Sequence, residues 1–532
     1  MSGEIRANNI LISDGPHFRR VAMGQAEIQF GVMWENSWHF RQYDPRLNLD
    51  VTNWDAAWIF AKYSLAGGPW LHMYLDLNAN NHRVTQSNAS VAVKVGTSMV
   101  EGVERGMGVF IHRDQIGMGT LEVRTAFLRW NYGQFGVDSH TADDDLRIRL
   151  FAIEMVYIPA GAFFMGDCAF VGRALAPGER AQSVSYLSVF NLDGDIVTAT
   201  AANCPVPSAI SPITSEDPSL TFRGEPIHPD FPRGFRSFYI MKHPITQAAW
   251  VDFLNTLTFA QQQRRTVNGN PAAAVNTAAM GGTAANRNWV RIRTPGVAAT
   301  GIPAVYGHNG APGGTAWDRN SNGGNIAMNF LSIFDGLAYA DWAGLRPMTE
   351  MEFEKASRGP VQPRTGEFVW GGRIPTNGIN MQHEWGSRET MAGNFRPIAG
   401  NPIRVGAFAH YWTNREQAGA TLFGVMNMSD NVWERVISLT DGSTFFTGVH
   451  GDGILAVNGD ANIESWPEPS AAGFQRGGWG TRGNQTSNRT HGELTRNAAG
   501  AVITAVGNPE LPTALRPAGL SHFGFRAVRT AP

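Results

Sequence analysis

The sequence GVMNMSDNVWE, from Gly424 to Glu434, decides how the second half of this chain is interpreted. Two shorter stretches follow it towards the C-terminus, RGGW at Arg476–Trp479 and GFR at Gly524–Arg526. No cysteine occurs among them, because the last cysteine of the chain is Cys204. A fold and a functional class follow from this combination of what is present and what is missing.

The three stretches, in this order, resemble the formylglycine-generating-enzyme (sulfatase-modifying factor) family. The sequence EMVYIPAGAFFMG at Glu154–Gly166 is similar to the opening hairpin of that family, and RPMTEMEFEKASRG at Arg346–Gly359 carries its most specific signature before the C-terminus. The resemblance implies an α+β domain with a C-type-lectin-like fold over residues 153–532. A stretch at about 168–232 is longer than the family usually tolerates, and we interpret it as a surface insertion.

The region before this domain, residues 1–152, has apolar side chains at alternate positions. Examples are AEIQFGVMW at Ala26–Trp34 and AAWIFAKY at Ala56–Tyr63. Such alternation predicts strands with one buried face, and Gly, Asn, Asp and Pro clusters separate them. We therefore predict an all-β sandwich in front of the C-type-lectin-like domain.

Aromatic and acidic residues of this N-terminal region each allow two interpretations. The six tryptophans are Trp34, Trp38, Trp54, Trp58, Trp70 and Trp130. They could form a platform that stacks on carbohydrate, or they could fill the space between two sheets, and we favour packing. The acidic run Asp143–Asp145 could hold calcium or form a solvated turn, and we favour the turn.

Two helices are predicted in the second domain before its signature segment. Thr246 can accept a hydrogen bond from a backbone amide at a helix N-terminus, and Trp250, Phe253 and Leu254 then share one helical face. The second helix covers Phe334–Ala343.

Three further local features complete the prediction for this part of the chain. Gly344 follows the second helix at a position that favours a left-handed residue. Thr349 and Glu352 have the spacing of a capping box. The stretch from Phe259 to about Asn325, rich in Ala, Asn, Gly and Thr, has little periodicity and predicts a loop.

Composition excludes several classes of protein. The length of 532 residues predicts about two domains, and the formal net charge of −2 without any run of Lys or Arg argues against nucleic-acid binding. Neither a basic start with an apolar core nor an apolar run of ~20 residues occurs, so we expect no secretory signal and no membrane insertion.

Localisation stays open, and cytoplasmic synthesis followed by display on a particle or an extracellular assembly is one interpretation. Cys168 and Cys204 are too few for a disulfide framework, and both pairing and two free thiols stay open.

The resemblance also implies a metal site. In the family, the segment that corresponds to Asn427–Glu434 wraps a calcium ion, so Asn427, Asn431 and Glu434 are our candidate ligands. The chain departs from the family pattern at Asp430, where the family has Gly, at Asn427, where it commonly has Asp, and at Arg435, where it usually has Trp. The alternative is a loop that the same side chains hold together without metal.

Catalysis of the family's kind is not expected. Formylglycine-generating enzymes need a cysteine pair shortly after Arg-Gly-Gly to bind copper, and a thiolate is both the soft ligand and the nucleophile. This chain has no cysteine there, so we predict no copper and no enzyme activity. The related iron-dependent sulfoxide synthases place iron ligands on a helical N-terminal domain, which the β-rich region here does not resemble. Three acids that could act in catalysis, Glu350, Glu352 and Glu434, already have structural explanations.

The segment from Trp479 to His522 is rich in small polar residues with interspersed Arg and Trp, the chemistry of adaptable recognition surfaces. In the lectin-type fold this part of the chain forms an exposed face. Its predicted ligand contacts are Trp479, Arg482, Asn484, Asn488 and Arg489. The segment also resembles the display region of variable proteins from diversity-generating retroelements, and an ordinary polar loop is the alternative.

We therefore predict a non-enzymatic, adhesin-like protein that binds a protein or glycan ligand on another surface. Its N-terminal domain would attach it to a larger assembly or to a second copy. The alternative function is a structural, self-assembling component of a surface layer, tube, filament or phage-like particle.

Overall fold

The computed structural model describes most of the chain. The described residues are 10–44, 49–135, 145–161, 163, 188–190, 196–198, 221–222, 225–226, 228–266, 269–281, 286–308, 323–360, 368–372, 376, 378–384, 389–394, 401–409, 413–437, 445–467, 469–470, 473–474, 479–482 and 523–532.

Strands dominate the N-terminal region. They are β1 (Leu11–Ala22), β2 (Gln25–Asp44), β3 (Leu49–Leu65), β4 (Leu71–His72), β5 (Arg83–Ser87), β6 (Val91–Val100), β7 (Val103–Arg113), β8 (Gly117–Trp130) and β9 (Leu146–Ile158), with short 3₁₀ helices at Ala79–Asn81 and Tyr132–Phe135.

The region after β9 mixes short strands with helices. Its strands are β10 (Ser188–Phe190), β11 (Ile196–Thr198), β12 (Thr221–Phe222), β13 (Glu225–Pro226), β14 (Phe238–Met241), β15 (Val290–Thr294), β16 (Val305–His308), β17 (Arg346–Pro347), β18 (Ile379–Gln382), β19 (Thr390–Ala392), β20 (Glu434–Ile437), β21 (Pro469–Ser470), β22 (Gly473–Phe474), β23 (Trp479–Arg482) and β24 (Ala527–Thr530). Its helices are α1 (Gln247–Leu254), α2 (Phe259–Arg265), α3 (Ile333–Trp342) and α4 (Glu350–Arg358).

One sheet of 12 strands connects the two regions, with the order β17-β24-β14-β9-β3-β2-β8-β5 and the remaining strands β1, β4, β6 and β7 joined beside it. Strand β9 pairs with β3 along one edge and with β14 along the other, and both pairings are antiparallel. The predicted domain boundary between residues 152 and 153 lies inside β9. The described part is rich in strands, while the sandwich and the C-type-lectin-like arrangement stay predictions.

The prediction of one buried face is wrong for β3. Trp58 and Phe60 belong to the core cluster that contains residues of α1 and α3, whereas Ile59 and Tyr63 belong to a second cluster formed with β2, β7 and β8. A strand that is buried on both faces has an almost continuous apolar run, as AAWIFAKY does. The sequence alone did not reveal that this face packs against helices, because α1 and α3 lie nearly two hundred positions or more further along the chain.

The tryptophans of the N-terminal region fill the core more than they line the surface. Trp34, Trp58 and Trp130 are fully buried. The half-buried ring of Trp54 lies between two others, with its centroid 3.8 Å from that of Tyr157 and 5.1 Å from that of His112. These positions favour packing over a carbohydrate platform. The acidic run Asp143–Asp145 lies outside the described residues except for Asp145.

The helices of the second region begin where the sequence predicts. The Thr246 side chain accepts from Ala249 N, and Trp250, Phe253 and Leu254 are all fully buried. The helix that was predicted at residues 334–343 is α3, and its Asp335 side chain completes a capping box with Ser332.

Two more predictions of local backbone structure are confirmed. Gly344 has φ of +66°, the left-handed value that suits glycine after a helix. At α4, Thr349 accepts from Glu352 N while the Glu352 carboxylate accepts from Thr349 N, which is the predicted capping box.

The loop that the sequence predicts from Phe259 to about Asn325 contains regular structure and is corrected here. Helix α2 starts at a capping box of Thr258 and Gln261, and β15 pairs with β16. Helix α2 has only seven residues, too few for a clear 3.6-residue pattern. Most of the predicted insertion at 168–232 lies outside the described residues. Within the described ranges, no helix has the length and apolar character that crossing a membrane requires.

Candidate functional site

The polar loop at Asn427–Asn431 is tied to the neighbouring segment at residues 403–406. Asn427 and Asn431 have φ of 59° and 73°, a left-handed conformation that Asn adopts more readily than most residues. Asn427 Oδ1 accepts from Gly406 N at 3.0 Å, and Asn431 Oδ1 accepts from Ile403 N at 3.0 Å. The Asn431 amide group also donates to Ile403 O at 3.1 Å. Both side chains therefore hold the loop in place.

Glu434, the third candidate metal ligand, forms a buried ion pair with Arg526. Arg526 Nη2 lies 2.7 Å from Glu434 Oε1, and Arg526 Nε lies 3.1 Å from Glu434 Oε2. The same guanidinium donates to the carbonyl oxygens of Met241, Lys242 and Met426 at 2.7–3.0 Å. Burial raises the pKa of Glu434, and the charge of Arg526 opposes that shift. This pair joins two of the three sequence stretches that carry the family resemblance.

The candidate calcium ligands offer side-chain oxygens that already accept hydrogen bonds from other protein groups. A calcium ion binds about six to eight oxygen ligands. The side-chain oxygens of Asn427, Asn431 and Glu434 accept from protein groups, so an ion would draw on backbone carbonyls or displace those bonds. Within the described residues, no group of three or more His, Cys, Asp or Glu side chains could hold a metal ion. Calcium binding stays a prediction.

The two ends of the predicted recognition segment meet at neighbouring residues. Strand β23 pairs antiparallel with β20, which places Arg482 opposite Glu434. On the other side, Phe523 forms a parallel bridge with Trp433, and Gly524 N donates to Trp433 O at 2.8 Å. Arg482 and Phe523, the described residues that flank positions 483–522, therefore lie beside Glu434 and Trp433. We call Trp433–Arg435 and Phe523 the base of the predicted recognition segment.

Aromatic contacts stabilise this base. The rings of Trp433 and Phe523 meet edge to face with centroids 5.2 Å apart. The Arg435 guanidinium carbon lies 4.0 Å from the centroid of Phe523. Because Glu434, Arg435 and Phe523 are buried, the base has little freedom to move.

The structure places the predicted contact residues only in part. The backbones of Trp479 and Arg482 lie in β23, opposite Ile437 and Glu434. Asn484, Asn488 and Arg489 lie outside the described residues.

Sequence reasoning missed a buried charged cluster beside this base. Lys242 Nζ lies 2.9 Å from Glu154 Oε2 and 3.9 Å from Asp55 Oδ2. Lys242 O also accepts from Arg526 and from Met426 N, so the cluster and the base share a backbone segment. The available signal was a charged residue next to apolar residues, at Asp55 in β3, at Glu154 in β9 and at Lys242 directly after β14.

A cavity of about 380 Å³ opens next to that cluster, between the start of β1, β9 and helix α1. Its lining includes Ile12, Glu154, His243 and Tyr339. Burial, with the nearby charge of Lys242, holds the pKa of His243 well below its usual range, so the imidazole is neutral near pH 7. The cavity could accommodate a small molecule with apolar and hydrogen-bonding parts.

Comparison with known proteins gives a consistent picture. Residues 213–491 match the family described as the sulfatase-modifying factor enzyme 1-like domain. The chain is 23% identical to the formylglycine-generating enzyme of Mus musculus over 276 residues, which cover 50% of this chain and 67% of that protein. It is 27% identical to the formylglycine-generating enzyme of Mycobacterium tuberculosis over 214 residues, covering 37% of this chain and 62% of that protein.

A shorter similarity extends to another enzyme. The chain is 32% identical to the hercynine oxygenase of Mycolicibacterium smegmatis over 113 residues, which are 21% of each protein. The chain thus spans 67% and 62% of the lengths of these two formylglycine-generating enzymes, and 21% of the length of this hercynine oxygenase.

Proposed function

The chain belongs to the sulfatase-modifying factor enzyme 1-like domain family, and we propose that it is a non-enzymatic, adhesin-like member that binds a ligand through residues 479–522. The proposal rests on one observation above all. Arg482 and Phe523, which flank residues 483–522, lie beside Glu434 and Trp433, at a base that is buried and fixed by ion pairing. A rigid base that carries a long polar segment is the usual arrangement of a recognition loop.

Cysteine usage supports the absence of enzyme activity. Copper chemistry of the kind that the resemblance implies requires thiolate ligands, since a soft metal prefers sulfur. The chain has two cysteines, Cys168 and Cys204, and neither follows the Arg-Gly-Gly stretch at Arg476–Gly478. The position that would supply the reacting groups therefore holds Trp, Gly, Thr and Arg.

The composition of the segment favours recognition of a protein or glycan. Trp479, Arg482, Asn484, Asn488 and Arg489 offer one flat aromatic ring together with amide and guanidinium groups. Such groups bind polar surfaces through stacking and hydrogen bonds at a modest cost in conformational entropy. The N-terminal strands would then supply attachment to a larger assembly or to a second copy.

Binding of the purified full chain to a glycan array and to cell surfaces tests the proposal. Replacement of both Trp479 and Arg482 by Ala should reduce binding at least about tenfold, which is the loss of one strong contact. The matched control is the pair Glu122→Ala and Arg124→Ala, an exposed ion pair on β8, far along the chain from the segment. Equal binding by all three proteins would overturn the proposal.

A second assay addresses catalysis directly. The full chain is incubated with copper and a cysteine-containing sulfatase peptide, and the peptide mass is followed. We expect an unchanged mass, and conversion of the cysteine to formylglycine would contradict the non-enzymatic assignment. Electron microscopy of the same sample separates the two non-enzymatic functions, because open-ended polymers would favour the structural component over the receptor.

A further inference from the structure

Lys242, Asp55 and Glu154 form a cluster that is almost completely closed to solvent. The exposed fractions of the three side chains are 4%, 0% and 5%. Lys242 Nζ lies 2.9 Å from Glu154 Oε2, 3.9 Å from Asp55 Oδ2 and 4.7 Å from the centroid of the Trp38 ring. A primary amine therefore lies between two carboxyl groups in a dry, partly aromatic site.

The sheet fixes the positions of these three residues. Asp55 belongs to β3, Glu154 to β9, and Lys242 directly follows β14. These three strands are adjacent in the sheet. Asp55 is opposite Val156 across the ladder, and Lys242 N donates to Glu154 O at 2.9 Å. Because ladder hydrogen bonds fix the register on both sides of β9, the amine stays near both carboxyl groups.

The carboxyl group of Asp55 is held by three donors from β2. Ser37 Oγ donates to Oδ1 at 2.8 Å, and Trp38 N donates to the same oxygen at 3.0 Å. Trp34 Nε1 donates to Oδ2 at 2.9 Å. Two fixed donors on one oxygen form the arrangement that stabilises negative charge as it develops on a carbonyl under nucleophilic attack.

We propose that Lys242 and Asp55 become joined by an intramolecular isopeptide bond, with Glu154 as the group that carries the protons. Lys242 is the nucleophile, the Asp55 carboxyl carbon is the site of attack, and the donors from Ser37 and Trp38 hold the oxygen that becomes negative. The reaction is a condensation that needs no oxidant, reductant or cofactor.

The proton transfers and the bonds that form and break in this reaction balance. Lys242 Nζ gives a proton to Glu154, and the free amine attacks Cγ of protonated Asp55, so that the Nζ–Cγ bond forms. Glu154 then passes its proton to Oδ2, the Cγ–Oδ2 bond breaks, and Oδ2 leaves as water. The second amine proton moves to Glu154. One amine and one carboxylic acid thus give one amide and one water.

Burial favours both the reactive state and the product. Burial raises the pKa of Asp55 to about 6, which increases the protonated fraction that an amine can attack. In the product, both the amide and the protonated Glu154 are neutral. The unreacted cluster instead holds charged groups away from water, which costs free energy. The crosslink would tie β3 to the segment after β14, which joins the N-terminal strands covalently to the family domain.

The mass of the purified, denatured full chain tests the proposal. We expect it to be lower than the sequence mass by one water. Digestion with trypsin should give a branched peptide that contains Asp55 and Lys242, because an amidated lysine is not cleaved. A full sequence mass in a chain that unfolds cooperatively would overturn the proposal, whatever the variants show.

Three variants sharpen the test. Lys242→Arg keeps a positive charge and Glu154→Gln keeps the shape of its side chain, and both should have their full sequence masses. Asp55→Asn offers an amide as the leaving group, so any crosslink that forms should lower the mass by ammonia in place of water. Loss of water in Lys242→Arg would show that a different pair reacts and would also overturn the assignment.

Discussion

Arg526 Nε and Nη2 donate to the carboxylate oxygens of Glu434 at 2.7–3.1 Å, and both side chains are fully buried. Glu434 lies opposite Arg482 in β23 and next to Trp433, which forms a bridge with Phe523, so the pair lies where the described chain stops and resumes around residues 483–522. Arg526 also donates to the backbone carbonyls of Met241, Lys242 and Met426, so one guanidinium connects the end of β14 with the residue before the polar loop. The base of the segment should therefore depend on this pair more than on any exposed contact.

Replacement of Glu434 by Ala should lower the unfolding free energy by about 3–5 kcal/mol, because the change leaves a buried guanidinium without its counter-charge. Urea unfolding followed by tryptophan fluorescence measures the loss. The control is Asp50→Ala, which breaks the pair of Arg41 and Asp50 at a similar distance of 2.6 Å but with exposed fractions of 62% and 44%. That change should cost less than about 1 kcal/mol. Similar losses in the two variants would contradict a special role for the buried pair.

Gly336 gives a second prediction, in which steric overlap opposes helix propensity. It lies within α3, where Gly→Ala normally stabilises a helix by about 1 kcal/mol. A Cβ at this position would overlap the ring of Phe525, which neighbours Arg526. Overpacking of a core costs about 1–3 kcal/mol, so Gly336→Ala should lower the melting temperature.

The matched control for this change is Gly117→Ala at the start of β8. There a Cβ would meet only Arg113 Nη1, at 3.6 Å, and Gln115 O, at 4.0 Å. We expect little change in the melting temperature. A Gly336→Ala protein that is as stable as the wild type would show that Phe525 moves freely, which disagrees with a rigid base.

Acid sensitivity should arise from Glu27 in β2. The Arg83 guanidinium, with help from Arg19 and Arg129, lowers the pKa of Glu27 from 4.5 to about 2 although burial opposes the shift. Since the folded chain holds this proton less tightly than the unfolded chain, Glu27 stabilises the fold fully above pH 4.5 and loses that contribution as the pH falls through 2.

The unfolding free energy of the wild type should therefore fall more steeply than that of Glu27→Gln between pH 4.5 and 2. The extra slope can reach about 1.4 kcal/mol per pH unit for one proton. Urea unfolding at a series of pH values measures both slopes. Glu122→Gln, which removes an exposed carboxylate paired with Arg124, serves as control and should follow the wild type. Parallel curves for wild type and Glu27→Gln would be inconsistent with the shifted pKa.

Features that depend on neighbouring residues could be predicted from the sequence. Thr246 and the pair of Thr349 and Glu352 were identified as caps because their partners lie three residues away, and the structure confirms both. Hairpin β15–β16 was missed since Ala, Asn, Gly and Thr give weak periodicity. The prediction of one buried face for β3 failed for another reason. The apolar pattern of the strand was visible in the sequence, but the helices that pack on its second face were not.

The candidate site shows the same limit. Sequence comparison identified Glu434 and Arg526 as members of separate signatures, but nothing in their spacing shows that they form one ion pair. The cluster of Asp55, Glu154 and Lys242 was invisible for a similar reason, since three separate strands supply it. Local chemistry is readable from a sequence, whereas contacts across adjacent strands need the register of the sheet.

Trp58 in β3 gives the last prediction, because it joins the N-terminal strands to the family domain. It is fully buried, its Nε1 donates to Ala343 O at 2.9 Å, and the Arg529 guanidinium lies 4.8 Å from its ring centroid. Trp58→Ala should lower the unfolding free energy by about 3–5 kcal/mol, the cost of a large buried cavity.

Trp70→Ala is the control for the loss of an indole, because the Trp70 ring is only half-buried, beside Arg149, and its removal should lower the unfolding free energy clearly less. If the two regions share one core, far-ultraviolet circular dichroism and tryptophan fluorescence should report one common transition for Trp58→Ala, shifted to lower urea. Two separated transitions would show that β3 serves the N-terminal region alone.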